Sequence, residues 1–141
     1  MESRQQLNAT LVPTDDSGVR ALFKHLKQGG FSAILPDHIP KASGGIYSPF
    51  FGLNAFSSTL LSKLAAKTQC SVVGLTCIRR QDLSGFDLHF TELSADINSR
   101  DLQLSVDTLN KEMERMINVA PEQYLWRDKR FRKTLNKKKF Y

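Results

Sequence analysis

Pro121 interrupts the longest amphipathic pattern of this 141-residue chain and separates it from a strongly basic end. Before the proline, apolar residues recur every three or four positions, which predicts a long helix; these residues are Leu102, Val106, Leu109, Met113, Met116 and Ile117. Because proline lacks a backbone N–H, it either ends a helix or begins a new helical turn. Two aromatic residues and a dense cationic run follow it, namely Tyr124, Trp126, Lys129, Arg130 and Arg132.

The rest of the chain alternates between helical and strand periodicity. Two shorter helices are predicted, one from Val19 to the Gly29-Gly30 pair and one from Ser57 or Ser58 to about Thr68. Strands are predicted at residues 7–12, 31–35, 72–78 and 86–90, and the last two form a hairpin. Residues 37–54 contain several Gly and Pro and predict a long loop. This order is typical of a three-layer α/β fold with a mixed sheet.

Charge is concentrated at the C-terminus. The formal net charge is +6, yet residues 127–139 alone carry +7. We therefore predict a domain over residues 1–126 and a basic tail over residues 127–141. Such a tail fits nucleic acid, an anionic membrane surface or a phosphorylated substrate, and a simply solvated tail is an equally open interpretation.

Composition indicates a globular protein, with 40% hydrophobic and 24% charged residues. Cys70 and Cys77 fall close together in one extended stretch, so a disulfide between them is not expected and a reducing compartment fits best. No apolar run approaches the roughly 18 residues that a membrane-spanning helix needs.

Several blocks resemble, in the same order, the late acyltransferases of lipid A biosynthesis, which are lauroyl and myristoyl transferases. The strongest are Ala120-Pro121-Glu122-Gln123-Tyr124-Leu125-Trp126 with its cationic continuation, and Gly44-Gly45-Ile46-Tyr47-Ser48-Pro49-Phe50-Phe51-Gly52. Weaker blocks are Leu11-Val12-Pro13-Thr14-Asp15, Gly18-Val19-Arg20-Ala21-Leu22 and Ile34-Leu35-Pro36-Asp37. One departure is Arg127-Asp128, where the family commonly has a bulky apolar residue. The resemblance implies the C-terminal portion of a glycerolipid-acyltransferase-like fold.

The resemblance also implies a function in lipopolysaccharide biosynthesis. The expected reaction transfers a fatty acyl group from an acyl carrier protein thioester to a lipid A precursor, at the cytoplasmic face of the inner membrane. Acyl carrier protein, the anionic glycolipid and the membrane surface are the expected partners. No other cofactor, no metal and no nucleic acid are expected.

The histidines bear on whether the chain can catalyse this reaction by itself. Acyl transfer to a hydroxyl needs a base, usually a His oriented by a carboxylate. The family is expected to have Asp or Glu five positions after that His. The residues at this spacing from His25, His38 and His89 are Gly30, Ser43 and Ser94. No catalytic residue is therefore assigned, and we expect an acyltransferase fragment that is inactive alone.

Five residues are expected to bind substrate: Arg20, Asp37, Lys129, Arg130 and Arg132. The arginines offer bidentate geometry to phosphate, although surface solvation is an alternative role. Asp37 follows a predicted strand, where α/β folds place ligand groups, but it also suits the cap of its own turn.

The aromatic pairs leave similar alternatives. Phe50-Phe51 can line a cleft, but core packing is favoured. Tyr124 and Trp126 can anchor the chain at a membrane interface or pack beneath the sheet. His89 alternates with apolar positions and is expected to be exposed.

Two other functions remain open. One is a module that binds nucleic acid or an anionic membrane through the basic tail. The other is a remnant that folds poorly and associates through exposed apolar surface.

Overall fold

The computed structural model describes residues 10–13, 15–126 and 129–133. The chain divides into two compact units, Met1–Ala33 and Ile34–Tyr141. The basic tail predicted at residues 127–141 lies largely outside the described residues, so the boundary at residue 126 stays a prediction.

The first unit contains one helix, α1 (Asp16–Lys27). Asp15 caps it, because its Oδ1 accepts hydrogen bonds from the backbone N–H of Ser17 at 2.9 Å and of Gly18 at 3.1 Å. Gly29, with φ of 81°, allows the chain to leave the helix. The predicted helix is confirmed.

The strands predicted at residues 31–35 and 7–12 are not confirmed. Residues 31–35 form no strand, and Phe31 and Leu35 are 91% and 64% exposed. The prediction at 31–35 was wrong because an apolar run makes a strand only where a neighbouring strand pairs with it. Residues 10–12 form no strand either, and residues 7–9 lie outside the described part.

In the second unit, strands β1 (Gly45–Phe50) and β2 (Leu53–Ser58) form an antiparallel hairpin. They replace most of the long loop predicted at residues 37–54, so that prediction was wrong. Its glycines and prolines belong to a tight hairpin: Phe51 and Gly52, with φ of 47° and 73°, form a two-residue turn, and Pro49 lies within β1. Positive φ at both central residues is characteristic of a type I′ turn, whose twist matches the twist of the two strands that it joins.

Helix α2 (Leu60–Thr68) follows, and then a second antiparallel hairpin of β3 (Val73–Arg79) and β4 (Phe86–Glu92). The second hairpin and α2 are confirmed predictions. Thr59 is the N-cap of α2, one position after the predicted start at Ser57 or Ser58, and Ser58 Oγ accepts a hydrogen bond from the Leu60 N–H at 3.3 Å.

Helix α3 (Leu102–Ile117) organises the core of the second unit. One buried cluster joins the first hairpin, α3 and the C-terminal segment through Phe50, Ala55, Met113, Ile117 and Phe131. A second joins α2, a short 3₁₀ helix and α3 through Ala65, Ile97 and Leu109. The α/β class is confirmed. Within the described residues, however, the strands form two separate antiparallel pairs, where the sequence predicted one mixed sheet.

Both cysteines are free, as the sequence predicted. Among the helices of the described part, none combines the length and the apolar character needed to cross a bilayer.

Candidate functional site

The turn of the first hairpin is held by α3. The backbone N–H of Phe51 donates a 2.7 Å hydrogen bond to Glu114 Oε1. A positive φ costs a non-glycine residue about 1–2 kcal/mol. The carboxylate of Glu114 offsets part of this strain and fixes the direction of the turn.

We expect Glu114→Ala to lower the unfolding free energy of the second unit by about 1.5–3 kcal/mol, because a hydrogen bond to a charged group is lost at a strained residue. Chemical denaturation followed by tryptophan fluorescence measures this change. Glu122→Ala removes an exposed carboxylate from the same unit and serves as the control. Equal effects of the two variants would contradict the role given to Glu114.

Aromatic rings join this turn to the segment that follows Pro121. The ring centroids of Phe51 and Trp126 lie 5.5 Å apart, and those of Trp126 and Tyr124 lie 4.8 Å apart, edge to face. The indole Nε1 also donates to the Pro121 carbonyl at 2.8 Å. Trp126 is nevertheless 42% exposed. It is therefore neither fully packed beneath a sheet nor free of the core, and one part of its surface faces solvent.

The Pro121 turn also contacts the second hairpin. Pro121–Gln123 form a 3₁₀ helix with proline at its start, so of the two roles predicted for Pro121 the structure shows the start of a new helical turn. The Gln123 side chain accepts a 2.8 Å bond from the Arg79 N–H and donates a 3.1 Å bond to the Arg79 carbonyl. The amide thus pairs with the outer edge of β3 as a neighbouring strand would.

Arg130 attaches the C-terminal segment to the first hairpin. Its side chain donates from Nη1 to the Phe56 carbonyl and from Nη2 to Ser57 Oγ, both at 2.8 Å. Its guanidinium carbon lies 5.2 Å from the centroid of the Phe50 ring. Arg130 is only 3% exposed. The residue predicted to bind phosphate is therefore a buried contact between two parts of the fold, and its binding to phosphate stays a prediction.

A polar network surrounds this contact in an otherwise apolar core. The side-chain nitrogen of Asn110 on α3 lies 2.9 Å from Ser48 Oγ, 2.9 Å from Ser57 Oγ and 3.0 Å from the Pro49 carbonyl oxygen. Ser57 in turn donates to the Ala55 carbonyl at 3.1 Å. Since Ser57 bonds both Asn110 and Arg130, it connects α3 and the C-terminal segment through β2.

Asp37 interacts electrostatically with Arg130. It accepts a 3.4 Å hydrogen bond from the Tyr124 hydroxyl. Burial lowers the pKa of Arg130, while electrostatic interactions with Tyr124 and Asp37 oppose that shift. An arginine keeps its proton despite such a shift, so the site contains a permanent buried cation.

The other predicted cations are more accessible. Lys129, with φ of 52°, and Arg132 are exposed beside Arg130. Lys133 lies next to them, with its Nζ 5.2 Å from the Phe56 ring centroid. Arg20 is exposed on α1, where its Nε donates to the Asp16 carbonyl at 3.2 Å. The structure thus groups Asp37, Arg130 and the neighbouring cations in one unit, whereas Arg20 belongs to the other.

Comparison with known proteins identifies the family. The family model described as bacterial lipid A biosynthesis acyltransferase matches residues 1–133. The chain belongs to this family of acyltransferases. It is similar to the lipid A biosynthesis palmitoleoyltransferase of Escherichia coli K12, with 27% identity over 136 residues, covering 94% of this chain and 43% of the relative. The lauroyltransferase of the same organism is 27% identical over 119 residues, covering 84% of this chain and 39% of the relative.

A lipid A biosynthesis acyltransferase of Haemophilus influenzae is also similar, with 25% identity over 111 residues, 78% of this chain and 34% of the relative. The chain thus spans less than half the length of the curated acyltransferases that it matches. The family resemblance found in the sequence is confirmed.

The histidines of this chain are scattered along the sequence. His89 is exposed, as predicted. In the unit that contains α1, His25 Nε2 lies 3.2 Å from the Phe31 carbonyl oxygen. Within the described residues, no group of three or more His, Cys, Asp or Glu side chains could hold a metal ion.

Sequence reasoning missed three features of this chain. It did not single out Asn110 or Glu114, because their roles depend on contacts more than 60 positions away in sequence. It also missed a depression between α2 and the start of α3, lined by Ser62, Lys63, Ala66, Lys67, Ser99, Arg100 and Leu102, of which three are cations. The spacing of Lys63 and Lys67, which places both on one face of a helix, was the signal available for it.

Proposed function

We propose that this chain is the acceptor-binding part of a lipid A acyltransferase. In this proposal it holds the phosphorylated glycolipid while a fatty acyl group is transferred from acyl carrier protein to one of the glycolipid's hydroxyl groups. The observation that carries the proposal is the family match over residues 1–133. Three relatives are named as lipid A biosynthesis enzymes, which supports a lipid A precursor as the acceptor.

The surface next to Arg130 suits such an acceptor. Lys129 and Arg132 are exposed there, and the half-exposed Trp126 lies close by in the chain. Exposed cations bind phosphate groups, and a tryptophan at the edge of a cationic surface suits the boundary between headgroups and acyl chains. Arg130 contributes by fixing the backbone that carries these cations.

The cytoplasmic face of the inner membrane is the proposed location, since a lipid acceptor and a protein-borne acyl donor meet at a membrane surface. The base for the reaction is not proposed within this chain. None of its three histidines has the His-x-x-x-x-Asp or Glu spacing. We therefore propose that the chain binds the acceptor but does not transfer the acyl group alone.

Binding to lipid tests the first half of the proposal. The chain is expected to bind neutral vesicles doped with a phosphorylated lipid A precursor more tightly than undoped vesicles. The double variant Lys129→Ala/Arg132→Ala should bind the doped vesicles about 30-fold more weakly, since each cation near an anionic surface contributes about 1 kcal/mol.

Lys24→Ala/Lys111→Ala removes the same charge from exposed positions elsewhere and is the matched control. Co-sedimentation at fixed ionic strength measures both variants. Tighter binding to single-stranded nucleic acid than to the doped vesicles at the same salt concentration would instead favour a nucleic-acid module.

Acyl transfer tests the second half. The isolated chain, given an acyl-loaded carrier protein and the lipid A precursor, is expected to form no acylated product above the uncatalysed background. A positioned general base typically contributes about 10²- to 10⁴-fold to the rate. Product analysis by mass spectrometry measures the reaction, and turnover at the rate of a full-length family member would refute this half.

A further inference from the structure

The second hairpin presents its apolar face to solvent. On this face, residues of β3 and β4 stand opposite each other as the pairs Leu75 with Phe90 and Cys77 with Leu88. Its large apolar side chains are more than half exposed: Val73 57%, Leu75 57%, Phe86 54%, Leu88 59% and Phe90 71%. Soluble monomers rarely leave so many contiguous apolar side chains in water.

The opposite face of the hairpin is already covered by the chain's own helix. Gly74 is buried against α3, where an added Cβ would collide with the Met116 sulfur. On this face Thr76, Ile78 and Thr91 are partly buried, and His89 is exposed. Because successive side chains of a strand point to opposite faces, the contact of Gly74 with α3 leaves Val73, Leu75 and their partners on β4 facing solvent.

The edges of the hairpin favour protein over lipid as the covering partner. In an antiparallel pair, every second residue of a strand directs its backbone N–H and C=O groups away from the partner strand. On β3, Arg79 is such a residue, because its N–H and C=O bond the Gln123 side chain and not β4. Leu75 and Cys77 belong to the same set by alternation. A polypeptide can pair with such groups, whereas hydrocarbon leaves them unsatisfied.

The family supplies a polypeptide of suitable size. The match covers 43% of the palmitoleoyltransferase and 39% of the lauroyltransferase, so more than half of each relative lies outside it. We propose that the face formed by Val73, Leu75, Cys77, Phe86, Leu88 and Phe90 is a docking surface for that remaining part of an acyltransferase. This inference uses the family membership and not the proposed binding of glycolipid, so either can fail without the other.

Cys77 provides a probe at the centre of this face. It is exposed, and Cys70 is the only other cysteine. In a Cys70→Ser background, a maleimide should react readily with Cys77 in the chain alone. Co-purification with the part of the Escherichia coli palmitoleoyltransferase outside the 136 matched residues should slow this reaction about tenfold or more, because access to the thiol is lost.

Two variants make the test specific. Phe90→Glu places a charge opposite Leu75 and should abolish both the protection and the co-purification, while leaving unfolding followed by Trp126 fluorescence unchanged. The second variant carries Lys111→Cys in a chain that lacks both native cysteines. Its thiol lies at an exposed position of α3 and should stay reactive towards maleimide in the complex.

Three results would overturn the proposal. One is unchanged Cys77 reactivity with the relative's polypeptide in excess. Another is protection by lipid vesicles alone, which would make the face a membrane contact. The third is protection that grows with the concentration of the chain alone, which would make the face an interface between two copies. The acyl-transfer and vesicle-binding experiments do not depend on any of these outcomes.

Discussion

Replacing Arg130 with alanine is expected to lower the unfolding free energy of the second unit by about 3–5 kcal/mol. The guanidinium donates to the Phe56 carbonyl and to Ser57 Oγ in the core, and its central carbon lies over the Phe50 ring. Each buried polar group left without its partner costs about 1–3 kcal/mol, and the lost contact with the ring adds about 0.5–2 kcal/mol. Arg130→Lys should be intermediate in stability, because it keeps the charge but loses the planar pair of donors.

The fluorescence of Trp126, the single tryptophan, reports unfolding of this unit in denaturant. Arg132→Ala is the matched control: its side chain is exposed two positions away, so its effect should stay within about 0.5 kcal/mol. If Arg130→Ala were as stable as the parent chain and lost only lipid binding, the guanidinium would face a ligand rather than the first hairpin.

Replacing Phe50 with alanine should have a comparably large effect. Phe50 has no exposed surface and packs against the rings of Phe51 and Phe131, with centroid distances of 4.9 and 6.0 Å. Removing a buried phenylalanine side chain typically costs about 3–5 kcal/mol through lost burial and the cavity that remains. The same denaturation experiment measures it.

Phe90→Ala is the control for Phe50→Ala. Both residues are phenylalanines in strands, but Phe90 is 71% exposed, so its replacement in the isolated chain should change stability by about 0.5 kcal/mol or less. A large loss of stability in Phe90→Ala would mean that the second hairpin buries its apolar face within this chain, contrary to the structure.

Local patterns in the sequence predicted the helices and the second hairpin. The apolar spacing that led to α1, α2 and α3 depends only on neighbours within one or two helical turns. For the second hairpin, two strand-like runs are separated by a short polar segment containing Gly85. Such signals do not require knowledge of distant contacts.

The remaining errors concern contacts between distant segments. Nothing near residues 31–35 in sequence reveals that no strand pairs with them. The glycines and Pro49 in residues 37–54 resemble loop composition until the turn at Phe51-Gly52 is recognised, and that turn is fixed by Glu114 from α3. Periodicity also assigns an apolar face to β4 without saying whether the chain itself covers it.

The candidate site was predicted in part. The sequence selected Asp37 and Arg130, which the structure places close to Tyr124, and Lys129 and Arg132, which it leaves exposed. Composition alone treats neighbouring basic residues as equivalent. Burial distinguishes them. Of Arg130 and Arg132, the described arginines after residue 126, only Arg130 donates hydrogen bonds to the first hairpin.

The attachment of Gln123 to Arg79 has a consequence for how the two positions tolerate substitution. The Gln123 side chain bonds the main chain of Arg79 and not its side chain. Replacing the Arg79 side chain therefore leaves both bonds intact. The glutamine itself is hard to replace, because its amide supplies one donor and one acceptor at a fixed reach. Shortening it to asparagine would uncouple the Pro121 turn from the second hairpin, whereas exchanging Arg79 for another strand-forming residue would not.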